Sequence, residues 1–272
     1  MQLVTSEAVI LKRQDFKDSD LLVTFLARDK GRVTGIVKGS KKITGRGVGS
    51  FEPCMLGVMH YTEKPSSELV AIRKCDPRPP YLYLEQDYGK IVLASYLAEL
   101  LTLCPIPESE AAEFYLLLAR GLERVCEAGS PQQLALARLG FELDFLELLG
   151  LAPNWATCCQ CGCTVFDLEA EPPRVLAKGQ HSLDVAAGGV RCPACTKGAR
   201  NAEPLSAGTL AFLALWRTAR PSQPGAAPGQ ATAPLRPTRL ALQELQQALR
   251  RAIVYHLERE PRSLTLLPSL EG

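Results

Sequence analysis

Histidine, tryptophan and methionine are scarce in this sequence: three His, two Trp and three Met in 272 residues, with an aromatic fraction of only 6%. The three histidines, His60, His181 and His256, are scattered along the chain. That removes the HExxH arrangement of zinc hydrolases, and no GxSxG nucleophile turn is present. The glycine-rich basic stretch GSKKITGRG at 39–47 lacks the GxxxxGK[ST] spacing of a nucleotide-hydrolysing loop. No apolar run approaches the roughly 20 residues of a bilayer-spanning helix, since the longest, 91–103, is broken by Glu99. The opening residues lack the charged start and sustained apolar stretch of a secretory signal. Together these absences point away from catalysis and membranes, toward a soluble cytoplasmic protein that is not an enzyme.

Cysteine, by contrast, is plentiful. Ten are present, six of them clustered at 158–163 and 192–195. A chain of this length needs no disulfide scaffold, so tight clustering favours metal ligation. Cys54, Cys75, Cys104 and Cys126 sit among apolar residues and read as small buried hydrophobes. The clusters contain Cys158-Cys159-Gln160-Cys161-Gly162 and Cys192-Pro193-Ala194-Cys195. Such a CxxC…CxxC pair offers four thiolates at the corners of a tetrahedron, the arrangement of structural zinc. The expected ligands of one structural Zn2+ are therefore Cys158, Cys161, Cys192 and Cys195, with Cys159 and Cys163 as competitors for the first pair. Four thiolates leave no open position for a catalytic water. His181, in the intervening polar stretch, reads as solvated.

The net charge of +2 conceals an asymmetry. Residues 1–80 carry 14 Lys+Arg against 9 Asp+Glu, residues 81–157 carry 4 against 11, and residues 158–272 carry 13 against 9. The first segment is thus suited to a polyanionic partner. It also reads as short strands at 8–12, 21–27, 32–38, 54–61 and 68–73, rich in Val, Ile and Leu. Five short strands cover their edges best by closing, which makes an OB-fold β-barrel the expected architecture for 1–80. Between Arg28 and Arg46 the chain carries Arg28, Lys30, Arg32, Lys38, Lys41, Lys42 and Arg46 against the single acid Asp29. Aromatic stacking platforms are few: Phe16, Phe25, Phe51 and Tyr61, any of which can be core instead. This favours binding through phosphates, tolerant of sequence and sensitive to salt.

After Pro77, Pro79 and Pro80 the pattern changes to period 3.6, placing a domain boundary there. Helices are expected at 87–103, 108–127 and 131–149, the last opened by capping Ser130, Pro131 at its first position and Gln133. A zinc module at 155–200 follows, then a helix at 206–220. A Pro/Gly/Ala/Gln-rich flexible linker occupies 221–237. The final helix, 238–257, places Leu240, Leu242, Leu245, Leu249, Ile253 and Leu257 on its packing face. The fold class is α+β: the barrel at 1–80, then a helical domain at 81–272 with an inserted four-cysteine zinc module.

The opening VTSEAVILKRQDFKDSDLLVTFLARDKGRVTGIVKGSKK, the phrase FEPC, the helical middle and the CxxCG…CxxC together resemble the RecO family of bacterial DNA repair proteins, over about residues 3–257. The resemblance implies binding of single- and double-stranded DNA and annealing of complementary strands. It also implies action with RecR to promote RecA loading onto DNA coated by single-stranded-DNA-binding protein. It assigns DNA contact to Arg32, Lys38, Lys41, Lys42 and Arg46, and metal ligation to Cys158, Cys161, Cys192 and Cys195. The C-terminal tail of single-stranded-DNA-binding protein is expected in a basic, apolar groove of the helical part, and the location is expected to be cytoplasmic and nucleoid-associated. Some members lack the cysteines, so zinc is expected to support structure rather than annealing. The alternative reading is a zinc-ribbon adaptor for transcription or RNA, which would show duplex sequence preference or RNA selectivity.

Overall fold

Alternating aliphatic residues in the first segment produce five strands: β1 (Gln2–Phe16), β2 (Asp20–Ala27), β3 (Gly31–Val37), β4 (Leu56–Lys64) and β5 (Ser67–Arg78). They form a closed barrel in the order β1-β2-β3-β5-β4. This computed structural model describes residues 2–39, 51–64, 66–79, 87–167, 170, 173–199, 202–218 and 237–267. β1 is much longer than its apolar stretch at 8–12 suggests because it serves two neighbours. Gln2 to Val9 pair with β4 and Ala8 to Phe16 with β2, with a register shift between Ile10 and Lys12 where the strand passes from one to the other. Such a bulge bends a strand, as closure requires. The last seam is a parallel pairing of β3 with β5, Gly35 opposite Val70. A Cβ on Gly35 would lie 2.5 Å from Val70 Cγ2 and 2.8 Å from Val70 O, so only glycine lets the two strands close.

Inside the barrel Ile10, Val23, Phe25, Met55, Met59 and Tyr61 are fully buried, with Phe51 packed among them. Each such side chain contributes roughly 1.5–3 kcal/mol through removal of apolar surface from water. Phe25 and Tyr61 meet edge to face at 5.3 Å between centroids. The remaining seven-tenths of the chain is mainly helical: α1 (Tyr88–Leu103), α2 (Ala111–Glu127), α3 (Pro131–Leu148), the one-turn α4 (Pro193–Thr196), α5 (Ala207–Thr218) and α6 (Arg239–Leu257). The change from strand to helix falls at the proline cluster, since β5 runs through Pro77 to Arg78 and α1 opens at Tyr88. Asp87 caps α1 by accepting the Lys90 N–H. At the start of α3, Ser130 Oγ accepts the Gln133 N–H at 3.3 Å, and Gln133 Oε1 accepts the Gly129 N–H at 2.6 Å. That reciprocal pair satisfies N–H groups a helix start leaves without partners.

By contacts the chain divides into two compact units, Met1–Phe141 with Pro261–Ser269 and Glu142–Glu260 with Leu270–Gly272. The division falls inside α3. In the first unit α2 lies over β1, β2 and β3, and the 3-10 turn Arg262–Leu266 returns to α1. The Glu99 carboxylate on α1 accepts the N–H groups of Arg262 and Ser263, both at 2.8 Å, and the Ser263 hydroxyl. In the second unit the strands are short: β6 (Phe166–Asp167) with β7 (Arg174–Val175), and β8 (His181–Asp184) between β9 (Gly189–Arg191) and β10 (Glu203–Leu205). α6 packs against α5 and β10 through Leu242, Leu245, Leu249 and Ile253. Leu240, expected on this face, is 54% exposed instead, because two residues put it about 200° round the helix from Leu242. His181, expected in solvent, is fully buried in β8 with Nδ1 3.2 Å from Gly179 O. Cys54, Cys75 and Cys104 are buried and Cys126 half-buried. Of the linker at 221–237, residues 221–236 lie outside the described residues.

Candidate nucleic-acid interface and thiol cluster

The barrel register decides which side chains share its outer face. Lys12 stands beside Thr24 and Thr24 beside Thr34; in the next row Gln14, Leu22 and Ile36 are neighbours, and Phe16 faces Asp20. The residues between them on β2, Val23 and Phe25, point into the core, so this set points outward by the two-residue period of a strand. Thr24 and Thr34 share a hydroxyl hydrogen bond of 3.1 Å. At the β1–β2 turn, Lys17 takes a positive φ of 54° and sets its Nζ 5.4 Å from the Phe16 ring centroid. Asp20 Oδ1 accepts the Gly39 N–H at 2.9 Å. This bond holds Gly39, the last described residue before the basic stretch, beside that turn.

Among the described residues, five of the eleven barrel cations are held by carboxylates. Arg28 and Arg78 both pair with Glu7, Arg13 with Glu52, Lys30 with Glu63 and Lys74 with Asp76. The hydrogen bond from Arg28, joined by Arg78 and opposed by burial, holds the Glu7 carboxyl below its ordinary range. Among the described residues Lys12, Lys17 and Lys38 have no carboxylate partner. They lie on or beside the open β1–β2–β3 face.

Of the five basic residues singled out in the sequence, Arg32 and Lys38 lie at opposite ends of β3, about 20 Å apart by strand rise. The Arg32 guanidinium donates to the carbonyls of Leu101 at 3.2 Å and of Thr102 and Cys104 at 3.0 Å, closing the C-terminus of α1. Lys38 is exposed at the far end. Lys41, Lys42 and Arg46 lie outside the described residues. Phe25, Phe51 and Tyr61 belong to the core, which leaves Phe16 as the aromatic at the surface. Lys12 and Lys17 were not among the residues picked out in the sequence; their place on this face depends on the register shift in β1, which composition does not reveal.

The second cluster lies in the second unit. Cys158, Cys161, Cys163 and Cys192 bring their Sγ atoms within 4.8 Å of one another. Cys161 and Cys192 are 3.9 Å apart, against about 3.8 Å for the edge of a tetrahedron with metal–sulfur bonds of about 2.3 Å. Cys195 is not one of these four, although its thiol is near enough to interact with those of Cys161, Cys192 and Cys158. Cys159 turns away and donates to Gly189 O at 3.5 Å. Two tight turns build the site. Gly162 takes φ +73° after the first knuckle, whose Cys158 O accepts the Gly162 N–H at 2.9 Å. Cys192 precedes α4, with the Cys195 N–H on its carbonyl at 3.0 Å.

The electrostatics of the cluster are unequal. Burial opposes ionisation of Cys158, but N–H groups of Cys192, Cys161 and Gln160 outweigh it and bring the thiol down to about 6. The Cys195 N–H likewise lowers Cys192. Cys163 and Cys195 are pushed up to about 12, each chiefly by the neighbouring Cys161 thiol. Four convergent sulfurs, two of them favoured toward ionisation by backbone N–H groups, could hold a metal ion.

Among the described residues no helix is long and apolar enough to cross a membrane. The chain matches two families, Recombination protein O N terminal over residues 1–81 and Recombination protein O C terminal over residues 85–265. It is 31% identical to the DNA repair protein RecO of Anaeromyxobacter sp. (strain K) over 259 residues, covering 95% of this chain and 93% of that one. It is also 31% identical to the DNA repair protein RecO of Moorella thermoacetica over 194 residues, 71% of this chain and 66% of that one. A barrel, a helical remainder and a thiol cluster, matched along nearly the whole length, place this chain in the RecO family of DNA repair proteins, with a role in recombinational repair.

Proposed function

We propose that the chain is a non-catalytic recombination mediator whose residues 1–80 form an OB-fold domain for DNA. The strand order β1-β2-β3-β5-β4 and the parallel β3–β5 pair support that reading of the barrel. Single- and double-stranded DNA lies along the β1–β2–β3 face and the basic segment after it, contacted by Lys38, Lys41, Lys42 and Arg46 together with Lys12 and Lys17. Arg32 supports the face by holding α1 to the start of β3. The observation that carries the proposal is the open face itself: among the described residues its lysines have no carboxylate partner, while five of the other eight barrel cations do. One half-exposed aromatic, Phe16, offers little stacking, so recognition is through phosphates.

Neutralising phosphates on two strands lowers their repulsion, and base pairing then drives annealing. No protein group has to react. By its family the chain acts with RecR and the C-terminal tail of single-stranded-DNA-binding protein, and leads to RecA loading. Zn2+ is the ion we assign to the thiol cluster, where it would be held by cysteines alone and act as a structural tie within 155–200.

The test is fluorescence anisotropy of a labelled single strand across a salt series. Lys12→Ala/Lys38→Ala and Lys41→Ala/Lys42→Ala are each expected to make the log–log slope shallower by about 1.4, since each phosphate contact contributes roughly 0.7 on single strands. Unchanged slopes in both variants would remove DNA from this face.

A further inference from the structure

Five thiols converge where a tetrahedral ion accepts four. We infer that Cys163 and Cys195 are interchangeable ligands for the fourth position, so that the bound ion has a spare cysteine built into its own site. The inference rests on the reading of a single thiolate-bound ion in this cluster.

The five are not equivalent in the fold. Cys158 and Cys192 are buried and open the two knuckles. The Cys192 N–H donates to Cys158 Sγ at 3.3 Å, and the Cys195 N–H donates to the Cys192 carbonyl at 3.0 Å. The first bond ties the two knuckles together and the second turns the chain at Cys192. Cys161, in contact with Cys192 at 3.9 Å, is the third. Two sulfurs then remain. Cys163 completes a set of four within 4.8 Å, whereas Cys195 completes the two CxxC pairs of the sequence and lies within interaction range of Cys158, Cys161 and Cys192.

Each candidate approaches on its own short tether, Cys163 just after Gly162 and Cys195 at the end of the first turn of α4. Exchange requires only that one sulfur leave the ion as the other arrives. The entering thiol gives up a proton and the leaving thiolate takes one up, so charge and coordination number are unchanged. The sixth cysteine, Cys159, takes no part, because its sulfur faces the Gly189 carbonyl.

The experiment uses the full chain loaded with Zn2+ or Co2+, read by metal stoichiometry, cobalt–thiolate absorption and competition with a chelating dye. Cys163→Ala and Cys195→Ala should each keep one ion with four sulfur ligands. The double variant should bind about a hundredfold more weakly. Cys159→Ala serves as the control and should keep the ion. In the zinc-loaded wild type, brief alkylation followed by peptide mass analysis should find, besides any label on the half-buried Cys126 and Cys159, one label per molecule divided between Cys163 and Cys195. That readout needs no variant to fold. Loss of the ion in either single variant, tight binding by the double variant, or label confined to one of the two cysteines would each overturn the inference. A wild-type chain that binds no ion would instead overturn the reading on which it rests.

Discussion

The barrel and the cysteine module fix their folds by different means. Barrel strands run from seven to fifteen residues and enclose a continuous core from Ile10 to Cys75. In the module the strands β6 to β9 are two to four residues long, and its one helix, α4, has four. Trp155, Val165, Phe166, Leu183 and Val190 are buried there, too few to offset the conformational entropy of ordering some forty residues at about 1–2 kcal/mol each. Polar ties supply part of the difference. Asp184 binds Arg191 at 2.5 Å and accepts the Ala187 N–H at 3.0 Å. The rest falls to the thiol cluster. One region is held by what it removes from water; the other gathers four thiols at a point where a metal ion could tie it.

The strongest way to break this comparison is to remove the ion. With a chelator, amide protection across 154–199 should collapse while β1 to β5 keep theirs, since structural zinc contributes apparent free energies of about 10–16 kcal/mol in small modules. Hydrogen exchange with peptide-level resolution would show it, and parallel loss in the barrel would refute the division. A smaller and opposite effect is expected from Gly35→Val. The added side chain meets Val70 at the barrel seam, and overpacking there should cost about 3 kcal/mol in denaturant unfolding of the first unit without changing metal content.

Smaller still is the effect of Glu99→Gln, which probes a place in the first unit that depends on polar ties in the manner of the module. Replacing the charged acceptor of Arg262 and Ser263 should cost about 1.5 kcal/mol. Burial raises the Glu99 carboxyl, but the Ser263 and Arg262 donors outweigh it and the net shift is downward. Its contribution is therefore complete above the unfolded value of about 4.3 and is lost as pH falls through the lower folded value. Melting of wild type and variant across acid pH should converge; a gap that stays constant would mean the carboxylate charge is not what holds the turn.

The barrel was legible because a two-residue period with turns between strands has few other solutions, and Ser130 with Gln133 announced the α3 cap. Charge was less informative. Arg32 and Lys38 look alike in the sequence, yet one closes a helix and the other is free, a distinction set by where α1 ends. Lys12 and Lys17 were hidden because β1 shifts register at Ile10, and no residue type marks that shift. The cysteine spacing pointed to a cluster that brings Cys158, Cys161 and Cys192 together, but a rule of two intervening residues has no place for Cys163. Its approach depends on the turn at Gly162, which folds position 163 back toward Cys192.

The turn Arg262–Leu266 belongs to the first unit although the chain reaches it only after the whole of 142–260. During synthesis from the N-terminus, the barrel and α1 therefore leave the ribosome with the Glu99 carboxylate unanswered and the seat of Leu264 uncovered. The barrel can close at once, but its unit reaches its final stability only when the second unit has been made. The first unit is thus completed by residues that are made only after the whole of 142–260.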